Sequence, residues 1–188
     1  MRVKMVSIVA LAAVAATAPP SLPVVFGIAL GQPIDLPECK HLVDPNGDIS
    51  PYLYERDPAV TCYETDIQLS DATWRRGMVH FPVQRAPLII HGNAGFTLVV
   101  DGKVEGLQFD TQGPSNVGAI VRELTGKFGR PTSTDNITSV ISSIPFPAVE
   151  VQWRLANLYV QYISAERSVE YGWLLIETAK MHALRVRK

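Results

Sequence analysis

Two runs late in the chain alternate apolar and polar side chains with a period of two. In "AVEVQWRLANLYVQYIS", Val149, Val151, Trp153 and Leu155 point one way while Glu150, Gln152 and Arg154 point the other. The run breaks near Ala156 and Asn157, then resumes. Strict alternation of this kind belongs to an antiparallel sheet with one face in a core and one in water. "VEYGWLLIETAKMHAL" predicts a last strand of about ten residues. Upstream, "MVHFPV" and "PLIIHG" are short β-type runs, and "GFTLVVDGKVEGLQFDT" sets the turn-former "DGK" between two more, a hairpin signal. Leu98 and Val100 share a face before that turn, and Val104, Leu107 and Phe109 follow it. Gly106 shifts the alternation, as a β-bulge does. "VVFGIAL" predicts a short first strand that ends in the turn "GQP".

The period changes to that of a helix once. In "PSNVGAIVRELTGKFG", Val117, Ile120, Val121, Leu124 and Phe128 form one apolar stripe, with Arg122, Glu123 and Lys127 opposite. Pro114 suits the first turn, Ser115 is placed to cap it, Gly129 ends it and Pro131 stops it continuing. The polar "TSTDNITS" that follows reads as an exposed loop. These elements predict an α+β fold, a mainly antiparallel sheet with one amphipathic helix packed on one face. It is expected as a single domain over residues 24–182, with a solvated basic tail over 183–188 that ends in "RVRK".

Ahead of the domain, no charged side chain stands between Lys4 and Asp35. "MRVK" is a short positive segment, and the apolar run Met5 to Ala18 is about 14 residues, short of the ~20 that a spanning helix needs. Ala13, Ala15, Ala16 and Ala18 offer small-residue cleavage sites, and Pro19, Pro20 and Pro23 break any continuing helix. Residues 1–18 are therefore read as a signal peptide cleaved near Ala15 to Ala18. The alternative is an uncleaved anchor that runs on through "PVVFGIALG". No Cys lies near the cleavage region, so lipid modification there is not indicated. The expected location is periplasmic or secreted, with membrane contact only through the signal segment.

Composition changes this picture little. A chain of 188 residues, 47% hydrophobic and 19% charged, can bury one core without a metal. Its net charge of −1 becomes −3 without Arg2 and Lys4, and no basic patch is large enough for a nucleic-acid partner. Cys39 and Cys62 are the only cysteines. In an exported chain they are expected to pair, closing a loop rich in turn-formers and contributing about 3 kcal/mol. A redox pair would more often be spaced C-x-x-C.

Candidate chemistry is sparse. In "DPNGD", Asp44, Asn46 and Asp48 alternate as calcium ligands do, but Gly47 comes early and Pro51 stands where a helix should enter, so a plain β-turn is expected. His80 and His91 lie in neighbouring β segments and, with Asp101 or Asp110, can be imagined as a metal site or acid–base pair. A small hydrolase or metal-dependent enzyme built on them is the rival reading. Spacing assigns no third ligand, His41 and His182 have still less context, and there is no G-x-S-x-G, H-E-x-x-H or phosphate loop. No catalytic residue, metal or cofactor is therefore assigned. "NIT" (Asn136 to Thr138) matches a glycosylation acceptor, a signal with a high chance rate that carries little meaning if the source is bacterial. The aromatics Trp153, Tyr159, Tyr162, Tyr171 and Trp173 crowd into the last strands. Trp153 belongs with the buried set, and Tyr159 and Tyr162 must lie on opposite faces of one strand. Tyr159, Tyr162, Tyr171 and Trp173 are the candidate partner-binding residues, since outward Tyr and Trp make good anchors.

"FGIALGQPIDLPEC", "VEGLQFDTQG" and "LTGKFGRPT" together resemble small exported bacterial proteins of no assigned function, in which F-G-I-x-L-G precedes a Cys and K-F-G-x-P-T precedes antiparallel strands. A weaker likeness is to envelope domains typified by outer-membrane assembly lipoproteins and β-lactamase inhibitory proteins. This chain lacks the lipobox Cys of the lipoproteins and has a longer N-terminal half. The resemblance implies an α+β envelope module and transfers no site residues. The leading expectation is thus an exported, non-catalytic binding or accessory protein whose partner is another envelope protein.

Overall fold

At the "DGK" turn, Asp101 (φ 51°) and Gly102 (φ 75°) both take left-handed backbone, the geometry that matches the twist of two flanking strands. That hairpin lies at the centre of the fold. The structure is a computed structural model that describes residues 23–43, 46, 47, 49–67, 74–166 and 168–187. The expected signal segment over 1–18 lies outside them, as do Asp44, Pro45 and Asp48 of the "DPNGD" turn.

The elements in chain order are β1 (Val24–Val25), β2 (Ile28–Ala29), β3 (His41–Val43), β4 (Ile49–Tyr54), β5 (Cys62–Ile67), β6 (Arg75–His80), β7 (Ala94–Val100) and β8 (Lys103–Gln112). Then come α1 (Val117–Phe128), β9 (Ser133–Ile141), β10 (Ile144–Arg154), β11 (Leu158–Ile163), β12 (Tyr171–Thr178) and α2 (Ala179–Arg185). The main sheet has eight antiparallel strands in the order β5-β6-β7-β8-β12-β11-β10-β9. It consists of two four-stranded meanders, β5–β8 and β9–β12, that meet where β8 pairs with β12. α1 carries the chain from the centre of the sheet to its far edge.

α1 packs on one face as expected. Ile120 and Leu124 are buried against a core that includes Leu107, Phe109, Val151, Trp153, Val160, Tyr162, Leu174 and Ile176. Gly129 (φ 80°) ends the helix, and the Trp153 indole N–H donates to its carbonyl at 2.8 Å. The N-terminal cap differs from the expectation on Ser115. A 3-10 turn over Pro114–Asn116 leads in, and Asn116 occupies the cap position without a side-chain capping bond.

The structure departs from the sequence pattern elsewhere. The expected strand in "VVFGIAL" is a miniature hairpin, because Phe26 (φ 52°) and Gly27 (φ 82°) fold the chain back; Val25, Ile28 and Leu30 enter the core and Val24 is exposed. "PLIIHG" forms only a single bridge, Ile90 to Thr111. "TSTDNITS", expected as a loop, lies in β9 from Ser133 on, and β9 pairs with β10 over nine consecutive positions. An edge strand that covers no core need not alternate, so its polar sequence concealed it. The last strand stops at Thr178, whose hydroxyl accepts the Met181 N–H and caps α2. α2 then lays Met181 on Leu98, Val100 and Leu175, so the face expected to be wet carries a second small core. The Gly106 irregularity is present: the register shifts between Leu98, opposite Gly106, and Val99, opposite Val104.

Cys39 and Cys62 form a disulfide, with Sγ–Sγ 2.07 Å. It ties the segment before β3 to the outer edge of β5, where the Cys39 N–H donates to the Tyr63 carbonyl and the Tyr63 N–H to that of Pro37, both at 2.9 Å. Among the described residues no helix is long and apolar enough to cross a membrane.

Candidate functional site

Strand alternation sends two rows of side chains to the face opposite α1. Gln152, Gln161 and Leu175 lie directly across β10, β11 and β12 from one another, and so do Arg154, Tyr159 and Glu177. α2 runs beside them because its cap at Thr178 turns the chain back over the sheet immediately after β12. With His182 and Arg185 of α2, these residues line a cleft of about 170 Å³.

The inner wall is held by one carboxylate. Glu177 is only 1% exposed, and a buried carboxylate is tolerable only where it is paired. Arg185 supplies that partner through Nη2 to Oε1 at 2.8 Å and Nε to Oε2 at 3.1 Å, while His182 Nδ1 lies 2.6 Å from Oε1. Hydrogen bonding to Glu177 raises the Arg185 pKa above its ordinary value. The Tyr159 ring lies flat on the His182 ring, with centroids 3.8 Å apart and planes 6° from parallel. A second network fixes the outer wall: Gln152 Nε2 and Gln161 Nε2 both donate to Glu150 Oε1, at 2.7 and 2.5 Å, and Arg154 Nη2 donates to Gln152 Oε1 at 3.1 Å. Arg154 stands exposed at the mouth. The Arg185 charge is neutralised within the wall, so Arg154 provides the positive charge offered to a ligand. Rigid aromatic, amide and guanidinium groups held by their neighbours are suited to recognition.

The four sequence candidates fall in three places. Tyr159 is in the cleft. Tyr162 is fully buried in the main core, so it cannot serve as a surface anchor; among the described residues its hydroxyl has no hydrogen-bond partner, and burial pushes its pKa up to about 12. Tyr171 packs on His91 with ring centroids 4.2 Å apart. Trp173 adjoins the second core and, together with Tyr171, Asp110, Glu166 and Ser168, lines a separate small cleft. The two β-segment histidines have different partners: His80 Nε2 sits 3.0 Å from Glu64 Oε2, while His91 lies on Tyr171 and donates its backbone N–H to the Asp110 carbonyl. Asp101 bonds to Lys180 instead. Among the described residues no three His, Cys, Asp or Glu side chains gather as a metal site.

Sequence reasoning missed Glu177, His182 and Arg185, because their spacings of five and eight positions cross from strand to helix. The signal was the hydroxyl of Thr178 ahead of the helix formers Ala179, Lys180 and Met181. Gln152 and Arg154 were legible as wet-face positions but carried no motif. No protein-family model, curated protein or solved structure matches the chain.

Proposed function

We propose that this chain is an exported, non-catalytic binding module that engages an envelope protein through the cleft between β10–β12 and α2. The observation that carries the reading is the cleft wall itself: Tyr159 stacked on His182, beside amides and a guanidinium already locked by Glu150 and Glu177. Ordering those side chains before contact lowers the entropic cost of association. The fitting ligand is a polypeptide segment with a carboxylate for Arg154 and a flat or apolar group for Tyr159. A disulfide between Cys39 and Cys62 is consistent with an oxidising, extracytoplasmic compartment, and the short positive segment "MRVK" followed by an apolar run agrees with export. The likeness of its turn motifs to small exported bacterial proteins points the same way.

The test is a cross-linked pull-down of tagged protein exported by its own N-terminus in the native host. One stoichiometric envelope partner is expected, lost in both Tyr159→Ala and Arg154→Glu while the variants remain folded and oxidised. A partner retained by both variants would remove the cleft from the reading. Intact mass of the recovered protein reports the N-terminus, and an intact Met1 would replace the cleaved form with the anchored one.

A further inference from the structure

The two edges of the main sheet are treated differently. At the β5 edge, the segment Pro37–Cys39 covers Tyr63 and is pinned there by the disulfide. The β5 ladder is also broken between Glu64 and Ile67, and the strand carries Glu64. Covering, irregular pairing and charge are the usual defences of a sheet edge against another strand. Among the described residues nothing covers the β9 edge, and its pairing is regular. Its nine pairs with β10 run without a shift, it contains no Lys, Arg, Pro or Gly, and Asp135 is its one charge. Among the described residues no strand pairs with its outer side.

The turn decides which backbone groups face outward. Ser142 (φ 50°) and Ser143 (φ 68°) make a two-residue hairpin loop, so Ile141 and Ile144 are a hydrogen-bonded pair. Alternating from there, Ser133, Asp135, Ile137, Ser139 and Ile141 bond to β10. Thr134, Asn136, Thr138 and Val140 aim their N–H and C=O groups away from it. By the same alternation Pro145 and Pro147 of β10 turn their missing N–H toward the β11 side, beyond the reach of β11, which pairs only with Glu150 to Arg154. The inner side of this hairpin is blunted by proline and the outer side is left open.

We propose that the open edge pairs with itself: β9 of one copy lies antiparallel to β9 of a second copy about a two-fold axis at Ile137. In that register Thr134 and Asn136 face Val140 and Thr138 of the second copy, and the reverse, forming about eight backbone hydrogen bonds. Asp135 falls opposite Ser139, so the strand's one charge meets no like charge. Val140, 67% exposed, gains a partner in Thr134. The two main sheets become one, with both clefts on the same face. The inference does not depend on the cleft having a ligand.

Light scattering and sedimentation of the oxidised full chain test it. Twice the chain mass is expected, and Ile137→Cys should cross-link to a covalent dimer, since non-hydrogen-bonded partners stand close enough for a disulfide. Thr138→Pro removes an outward N–H without touching the β10 ladder, and Ile137→Lys sets two like charges face to face; each should raise the dimer dissociation constant at least tenfold. Mixing Ile137→Lys with Ile137→Glu should restore a heterodimer, a recovery that misfolded chains cannot give. Tyr159→Ala should leave the mass unchanged. A monomer at every soluble concentration, or a dimer indifferent to both β9 substitutions, would overturn the proposal, the former leaving the edge to a strand from a different protein.

Discussion

Removing the disulfide should destabilise this protein mainly by freeing its unfolded chain. The perturbation is the double variant Cys39→Ala/Cys62→Ala, compared with reduced wild type. Among the described residues, none between the two cysteines belongs to either apolar core. The bridge sits at a sheet edge, and opening it should leave the native packing in place. With a separation of 23 residues, the chain-entropy relation gives about 3.4 kcal/mol. At a urea slope of about 2 kcal/mol/M, the unfolding midpoint should fall by about 1.5–2 M. Tryptophan fluorescence is the readout, since Trp153 is buried in the core and bonded to Gly129. Both cysteines are themselves buried, so the alanine variant should lose slightly more than the reduced protein does. A loss under about 1 kcal/mol would refute the entropic reasoning. So would a collapsed near-ultraviolet spectrum without denaturant, which would mean that the bridge builds the native core rather than restraining the unfolded chain.

Gly172→Ala should lower stability by about 1–3 kcal/mol in thermal or urea unfolding, because a Cβ there would lie 2.5 Å from Thr111 Oγ1 and 2.8 Å from the Ile163 carbonyl. Met181→Ala should cost about 2–4 kcal/mol and raise amide exchange across α2 first, since a helix of seven residues has little stability beyond its packing. Tyr162→Phe should stabilise the protein by about 1 kcal/mol, as the hydroxyl is buried without a partner among the described residues. Burial raises the native phenol to about 12 against an ordinary 10, so its contribution is intact below pH 10 and is lost as pH rises toward 12. Urea midpoints across that interval should therefore fall less in Tyr162→Phe than in wild type.

How much of this was legible depends on where a core imposes a pattern. α1 and the β10–β11 hairpin were readable because Ile120, Leu124, Val151 and Trp153 repeat at the period of their own element and share one core. β9 was not, since an edge strand buries no face and Ser133 to Ile141 has no reason to alternate. The short turn at Phe26 and Gly27 was hidden because Phe seldom takes positive φ; here its ring packs edge-on against Phe109 at 5.4 Å, and Lys127 sits over it. Of the cleft, alternation set Tyr159 and Tyr162 on opposite faces without saying which faced outward, and the structure puts Tyr159 there. Glu177 stands in the last predicted strand with no motif around it, and its burial follows from α2 folding back over it, a tertiary event that no local period records.

The meeting of β8 and β12 also sets an order of events. Every other neighbour pair in the main sheet joins strands consecutive in the chain, and such hairpins close quickly. β8 and β12 instead bring Asp110 to Trp173, 63 positions apart, with α1 and three strands in the intervening loop. Non-local pairing of this kind slows folding, because loop closure precedes its reward. Once the strands register, the Thr178 hydroxyl donates to buried Glu105 at 2.5 Å and Lys180 reaches Asp101 at 2.8 Å, so the junction locks through groups drawn from both halves. Until then two half-sheets exist side by side, each with a raw strand at its inner margin. How often a newly made chain reaches its native state therefore turns on how soon those two strands find each other before either finds a stranger.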